Sequence, residues 1–296
     1  MTQRLPVAFW SACAAVLLVV LFLGTPLRSL AAGFLAIFEP QQFVALPISS
    51  SDAEHMRALP DLAKYGTMHE IVPQRHATAV DAAHAAGLAQ FPVRVPAFVP
   101  VGLPAPEYRV ISRSVSAFTF NAARAAAAAK AAGSPLPPMP AGLGGSTLEA
   151  SVGPAVLALY VTPQERASRQ RARRRGEHLR GGWPKLLIAQ MPVPTIASSG
   201  VSAATLVQYL AAQPGLPPQV AAELRAIGDP ARTLPIPIPI DRMHAEPVTV
   251  QGARGLFVGD NTGVGAGVIW QSRGYVYGIA GTLPVRTILA VANSLH

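Results

Sequence analysis

Apolar residues run unbroken from Val7 to Leu23, VAFWSACAAVLLVVLFL, and beyond that point polar and charged positions punctuate the chain. As a helix rising about 1.5 Å per residue, the run is roughly 26 Å long, near the lower limit for crossing a bilayer core. The pattern predicts one N-terminal transmembrane helix over residues 7–24, with residues 1–6 as a short cytoplasmic tail. Arg4 precedes the run and Arg28 follows it, so the positive-inside rule favours an inside N-terminus only by a narrow margin. Two alternatives stay open here. Ser29-Leu30-Ala31 offers the small residues of a signal-peptide cleavage site, and Cys13 is a lipid-attachment candidate with only Val7 to Trp10 ahead of Ser11-Ala12-Cys13 as a hydrophobic core. Leu30 to Phe38 is a second apolar patch, too short to span, which reads as lying at the membrane surface or packing on the domain. Residues 25–50 together read as a juxtamembrane linker, and 51–296 as an extracytoplasmic domain.

Within that domain the periodicity changes repeatedly. Short helices are expected around Ser51 to Leu59 and Pro60 to Tyr65, and a longer one over Ala77 to Leu88, with Thr78 as its cap and Asp81 in its first turn. Phe91 to Pro96 is extended, because each proline pushes its predecessor out of the helical region. Tyr108 to Val115 reads as a strand. Asn121 to Ala132 is a strong helix: an asparagine cap, nine alanines and Gly133 as the stop. Its small alanine surface suits close packing on a sheet. Thr147 to Val152 and Ala155 to Val161 read as strands joined by a turn at Gly153-Pro154, and Leu186 to Met191 as another strand. Helices follow at Ser202 to Ala212 and Pro218 to Ile227. Leu234 to Ile240, LPIPIPI, is an edge strand or a polyproline stretch, since alternate residues lack an N–H. Strands at Pro247 to Gln251 and Gly255 to Gly259 precede a hairpin turning at Ser272-Arg273-Gly274, and Pro284 to Leu295 closes as an amphipathic helix. The sum is an α+β fold, an antiparallel sheet with packed helices, preceded by the transmembrane helix.

Composition sharpens this picture. Twenty-nine prolines and 25 glycines argue for many turns rather than a helical bundle. The single cysteine lies in the apolar run, so the domain is held without disulfides and a cysteine-based zinc site is excluded. The net charge of +9 is concentrated: Arg166 to Arg180 holds seven arginines against one glutamate. Within the Arg-rich loop 164–182, Arg169, Arg171, Arg173, Arg174 and Arg175 are candidates for binding an anionic surface, such as lipid headgroups; a solvated loop joining two strands is the plainer reading. No aromatic is interleaved to stack bases, so no nucleic-acid partner is expected.

Tests for chemistry come out negative. Gly263-Val264-Gly265-Ala266-Gly267 leads into a strand, whereas a nucleotide loop must open a helix. His55, His69, His76 and His84 lack metallo-helix spacing, and Asp260-Asn261-Thr262-Gly263 is a turn rather than a calcium loop. No serine sits in a nucleophile elbow. No catalytic residue, metal ligand or cofactor is assigned. Trp270, Tyr275 and Tyr277 form a candidate ligand groove, or else a cross-strand core cluster.

Phe91-Pro92-Val93-Arg94-Val95-Pro96 followed by Val99-Pro100-Val101-Gly102 resembles the opening of an uncharacterised bacterial extracytoplasmic domain family, found in single-pass, anti-sigma-factor-like membrane proteins. Val268-Ile269-Trp270, Gly274-Tyr275-Val276-Tyr277, Gly281 and Asn293-Ser294-Leu295 are similar to its ending, and Leu30 to Phe43 to its juxtamembrane stretch. The resemblance covers residues 80–120 and 245–296. It implies a membrane-tethered sensory or protein-binding domain and supplies no catalytic residues. The chain departs from that pattern in one respect: anti-sigma proteins grip their sigma factor with a cytoplasmic domain, and only Met1 to Pro6 precede the apolar run here. The expectation is a non-enzymatic, single-pass protein of the cell membrane whose outer domain binds a protein partner or envelope component. A carrier or sensor of a hydrophobic ligand such as lipid is the alternative, and a hydrolase the third reading.

Overall fold

Prolines at matching heights in neighbouring strands divide the β-structure of this chain. The computed structural model describes residues 35–51, 65–133, 137–162, 164, 166–167, 184–213 and 217–296. The expected transmembrane helix, Cys13, the helices expected before Tyr65, and Arg169, Arg171, Arg173, Arg174 and Arg175 lie outside the described residues. Among the described residues no helix is long and apolar enough to cross a membrane.

The strands are β1 (Leu35–Phe38), β2 (Gln42–Ile48), β3 (Gly66–Val72), β4 (His76–Ala79), β5 (Glu107–Ile111), β6 (Ser114–Phe120), β7 (Thr147–Val152) and β8 (Ala155–Tyr160). They continue with β9 (Leu186–Pro192), β10 (Thr195–Ser198), β11 (Thr233–Pro239), β12 (Met243–Val250), β13 (Ala253–Asp260), β14 (Ala266–Ser272) and β15 (Tyr275–Gly281). The helices are α1 (Ala82–Ala89), α2 (Ala122–Ala132), α3 (Ala203–Ala211), α4 (Pro218–Ala226) and α5 (Val285–Asn293). This is the expected α+β architecture, mostly antiparallel, although residues 35–48 of the expected linker form two of its strands.

A five-stranded sheet has the order β1-β10-β7-β6-β3, and an eight-stranded sheet the order β12-β13-β14-β15-β9-β8-β5-β4. Four strands of the first lead directly into four of the second, in the same neighbour order: β3 into β4, β6 from β5, β7 into β8, and β10 from β9. Register survives the crossing. Ser114 opposes Val152 on one side and Ile111 opposes Ala155 on the other, so no residue is gained or lost between them. Ser151 opposes Thr195 and Val156 opposes Gln190, again without a slip. After a bulge between Glu70 and Val72, the outermost pair also holds its register into the second sheet.

What breaks the ladder at this junction is missing donors: Pro73, Pro154, Pro192 and Pro194 sit at or beside it and have no N–H to give. In the strand without proline, Ser112 N donates to Arg75 O (2.8 Å), and Ser112 Oγ accepts from Arg75 N (2.8 Å). Two expectations are corrected here. Tyr108 to Val115 is not one strand but parts of β5 and β6. Gly153-Pro154 does not fold β7 back onto β8; the two run on from one sheet into the next.

One face of the eight-stranded sheet is covered by α1 and α5. Ile288, Val291 and Ala292 of α5, with Leu295 beyond it, are fully buried, and each large aliphatic side chain contributes about 1.5–3 kcal/mol. The start of α1 differs from expectation. Thr78 is held in β4 opposite Arg109, and the cap is Asp81, whose carboxylate accepts from His84 N (2.8 Å). For α2 the asparagine cap and the Gly133 stop are as expected, but Ala125 is buried while Ala122, Ala123, Ala126 and Ala127 remain exposed, so its alanines do not lie flat on a sheet.

The other face of the eight-stranded sheet carries a two-stranded parallel sheet of β2 and β11. Gln42 N donates to Arg232 O and Ile240 N to Ile48 O, so β11 bonds through residues 234, 236 and 238. Pro235, Pro237, Pro239 and Pro47 therefore all turn their nitrogens away from the partner strand. This is the edge-strand form of the LPIPIPI segment. Helix α4 packs on β2 through Val220, Leu46 and Ile48, and α3 packs against α4.

Gly153 occupies the left-handed region at φ +77, and a Cβ there would meet Ser112 O and Ala155 N at 3.4 Å. Gly153→Ala is expected to lower the unfolding free energy by about 1–2 kcal/mol in urea titration; an unchanged midpoint would show that the junction relaxes without strain.

Candidate functional site

An apolar hollow in the five-stranded sheet follows from the size of side chains along β6. Ser116, Phe118 and Phe120 alternate onto one face of the five-stranded sheet. Across the strands, Phe118 lies between Met68 of β3 and Leu148 of β7. The next row is Ser116, Ala150 and Ile196, two of them small. A row of large side chains beside a row of small ones leaves a depression that no neighbour fills.

Helix α3 and the residues after it roof this depression. Leu206, Tyr209, Leu210 and Gln213 fall on one helical face at i, i+3, i+4 and i+7. The start of α3 is set by Ser202, whose hydroxyl accepts from Thr205 N (3.1 Å). Its approach is set just upstream, where the loop backbones touch: a Cβ on Gly200 would lie 2.5 Å from Gly142 O, so only glycine allows this contact. Leu143 and Val201 are buried beside it.

The pocket has a volume of about 270 Å³, and among the described residues no charged side chain lines it. Phe118 and Phe120 meet edge-to-face at 4.8 Å on its wall. Burial, and secondarily the neighbouring Tyr209, push the Tyr65 phenol above its ordinary pKa, so it stays neutral through the physiological range. Gln213 Nε2 donates to Tyr209 O (3.0 Å), which fixes the amide and leaves Oε1 without a partner among the described residues. Ser116 Oγ is buried and likewise unpartnered. The arrangement can hold an uncharged apolar group; it contains no nucleophile–base pair.

The residues expected to form a ligand groove lie elsewhere. Trp270 and Tyr277 are fully buried on the α1/α5 face of the eight-stranded sheet, stacked at 5.3 Å and 20°. They are a cross-strand core pair, as the register of Trp270 opposite Tyr277 requires. Arg94 caps the Tyr277 ring at 5.2 Å from its centre. Tyr275 alone reaches a cavity, and it is a different one, at the sheet junction. Of the arginine run, Arg166 is described and pairs with Glu107 of β5. Since β8 and β9 are antiparallel neighbours, the run connects two adjacent strands.

Among the described residues no group of three His, Cys, Asp or Glu side chains could hold a metal ion. The Asp260 carboxylate accepts from the backbone N–H groups of Thr262, Val264 and Gly265 and from the Thr262 hydroxyl, which makes this segment a self-closed turn. Sequence reasoning missed Met68, Phe118, Leu148, Leu206 and Tyr209 as a site. The helical spacing of Leu206, Tyr209 and Leu210 was a visible signal of an apolar face; which sheet face it covers was not. No protein-family model, no curated protein and no solved structure matches the chain.

A buried hydroxyl without a partner costs about 1–3 kcal/mol relative to its solvated state. Ser116→Ala is therefore expected to raise the unfolding free energy by about 1 kcal/mol in denaturant titration. A loss of stability of that size instead would show that the hydroxyl has a partner within the fold.

Proposed function

We propose that the chain is a membrane-anchored, extracytoplasmic and non-catalytic binding domain, acting in sensing or regulation, whose α3-roofed pocket receives a hydrophobic ligand such as a lipid acyl chain. The observation that carries the reading is the pocket itself, which among the described residues is lined mainly by apolar side chains and by no charged one. Its volume of about 270 Å³ exceeds the roughly 150 Å³ apolar cavity known to take up benzene. A charged head would find no counter-ion inside and would stay at the mouth, where Leu210 is exposed. The apolar run from Val7 to Leu23 supplies the membrane anchor in this reading and sets the cell-membrane location with the domain outside.

A protein partner is the second reading. It is favoured by the loop after Pro96, where Phe98, Val99 and Val101 all remain solvent-exposed.

The test is photo-crosslinking of the full chain in its membrane with a diazirine-bearing acyl lipid. Peptide mass spectrometry is expected to place the label on Phe118, Leu148, Leu206 or Tyr209. Ala150→Trp, which fills the pocket, is expected to cut that labelling about tenfold, equivalent to ~1.4 kcal/mol. Leu210→Glu at the mouth is expected to reduce it as well. Label confined to other surfaces and indifferent to both changes would overturn the ligand reading. Crosslinks to a protein through the Phe98 loop would favour the second.

A further inference from the structure

The junction between the two sheets carries a second cavity, independent of the apolar pocket, and we infer that it binds an oxyanion borne on a small apolar body. The cleft has a volume of about 590 Å³. Its floor is apolar: Phe91 and Tyr275 meet there at 5.5 Å between ring centres, beside Ala89, Pro154 and Pro192. Among the described residues its charged lining is Arg75 and Arg113, with no carboxylate.

The two arginines are brought together by the fold. Arg75 ends the crossing from β3 to β4, and Arg113 ends the crossing from β5 to β6. The reciprocal bonds between Arg75 and Ser112 hold these two crossings side by side. Arg113 Nε donates to Ser151 Oγ (3.0 Å), which fixes the root of its guanidinium. Among the described residues neither guanidinium is paired with a carboxylate, whereas Arg109, Arg166, Arg232 and Arg242 each have one.

Arg75 and Arg113 are solvent-exposed and line the same cleft, and an anion bound there would offset the repulsion between them. Guanidinium groups match phosphate and carboxylate geometry, and their charge-assisted bonds are the strong kind. The aromatic floor accounts for the apolar half of the ligand: Phe91 is buried behind it, and a bare ion would leave the half-buried Tyr275 ring uncovered. The anion could be a soluble organic phosphate or the headgroup of a membrane lipid; the recognising chemistry is the same.

Isothermal titration of the full chain in phosphatidylcholine nanodiscs with phenyl phosphate tests this. Saturable binding at one site is expected, with phenol and inorganic phosphate each weaker by about tenfold or more, since each lacks one half of the contacts. Arg75→Gln with Arg113→Gln is expected to weaken phenyl phosphate by about tenfold or more. Arg254→Gln with Arg286→Gln, which removes the same charge from exposed positions elsewhere, is expected to leave it unchanged. Absence of binding, equal binding of inorganic phosphate, or equal weakening by the two double variants would overturn the assignment. Repeating the titration in phosphatidylglycerol nanodiscs assigns the source. Loss of phenyl phosphate binding there identifies a lipid headgroup as the occupant, and unchanged binding identifies a soluble anion; both support the site.

Discussion

Register is the constraint on which the rest of this molecule depends. In an antiparallel ladder, a shift of one residue exchanges the two faces of a strand. Four strands here pass through a line of missing donors at Pro73, Pro154 and Pro194 and emerge with their pairing intact. Residue pairing is kept across the junction while the hydrogen-bonding phase shifts there, since Ser112 N turns to Arg75 on the β4 side and Phe120 N, an even number of residues on, turns to Ser146 on the β7 side. Val156, Ile188 and Tyr277 gather under α1 and α5 in one sheet, while Ser116, Phe118 and Leu148 gather under α3 in the other.

Two cavities follow from this arrangement, and they differ in chemistry. The pocket under α3 is a packing deficit: small Ser116 and Ala150 lie next to large Phe118 and Leu148, and the roof helix spans both rows. Close-packed interiors seldom leave such space, so a cavity of this size in an apolar layer calls for an occupant or carries a cost in lost contacts. The junction cleft is lined by two arginines and, among the described residues, by no carboxylate, over an aromatic floor.

Local features were legible from residues alone. Asn121 and Gly133 bound their helix because one side chain caps an N–H and the other accepts a left-handed backbone, both within a few residues of the helix. The Arg273-Gly274 turn and the proline alternation of LPIPIPI were readable for the same reason. Failures came where the deciding partner is distant in sequence. Gly153-Pro154 has the composition of a hairpin turn, and only the neighbouring Ser112 and Pro194 crossings make it a passage between sheets. Thr78 is a sound cap residue until Arg109 claims it for a ladder. Trp270 and Tyr277 have the look of a ligand groove, but α5 covers them. The pocket under α3 assembles from residues between Tyr65 and Gln213, a span over which no local pattern can specify contact.

The claim of unbroken register is tested most directly by cysteine crosslinking on both sides of the junction, in a chain carrying Cys13→Ala. Val115 opposes Ser151 in the five-stranded sheet, and Ile111 opposes Ala155 in the eight-stranded one. The Val115–Ser151 pair occupies the closer, non-hydrogen-bonded kind of site, five register steps from the Phe120 N to Ser146 O bond, and the Ile111–Ala155 pair the wider, hydrogen-bonded kind, because Ser112 N turns to Arg75 O on the other side of β5. The account predicts that Val115→Cys with Ser151→Cys, and Ile111→Cys with Ala155→Cys, each close under mild oxidation. Closure of the first pair together with closure of Ile111→Cys onto Gly153→Cys, rather than onto Ala155→Cys, would contradict it.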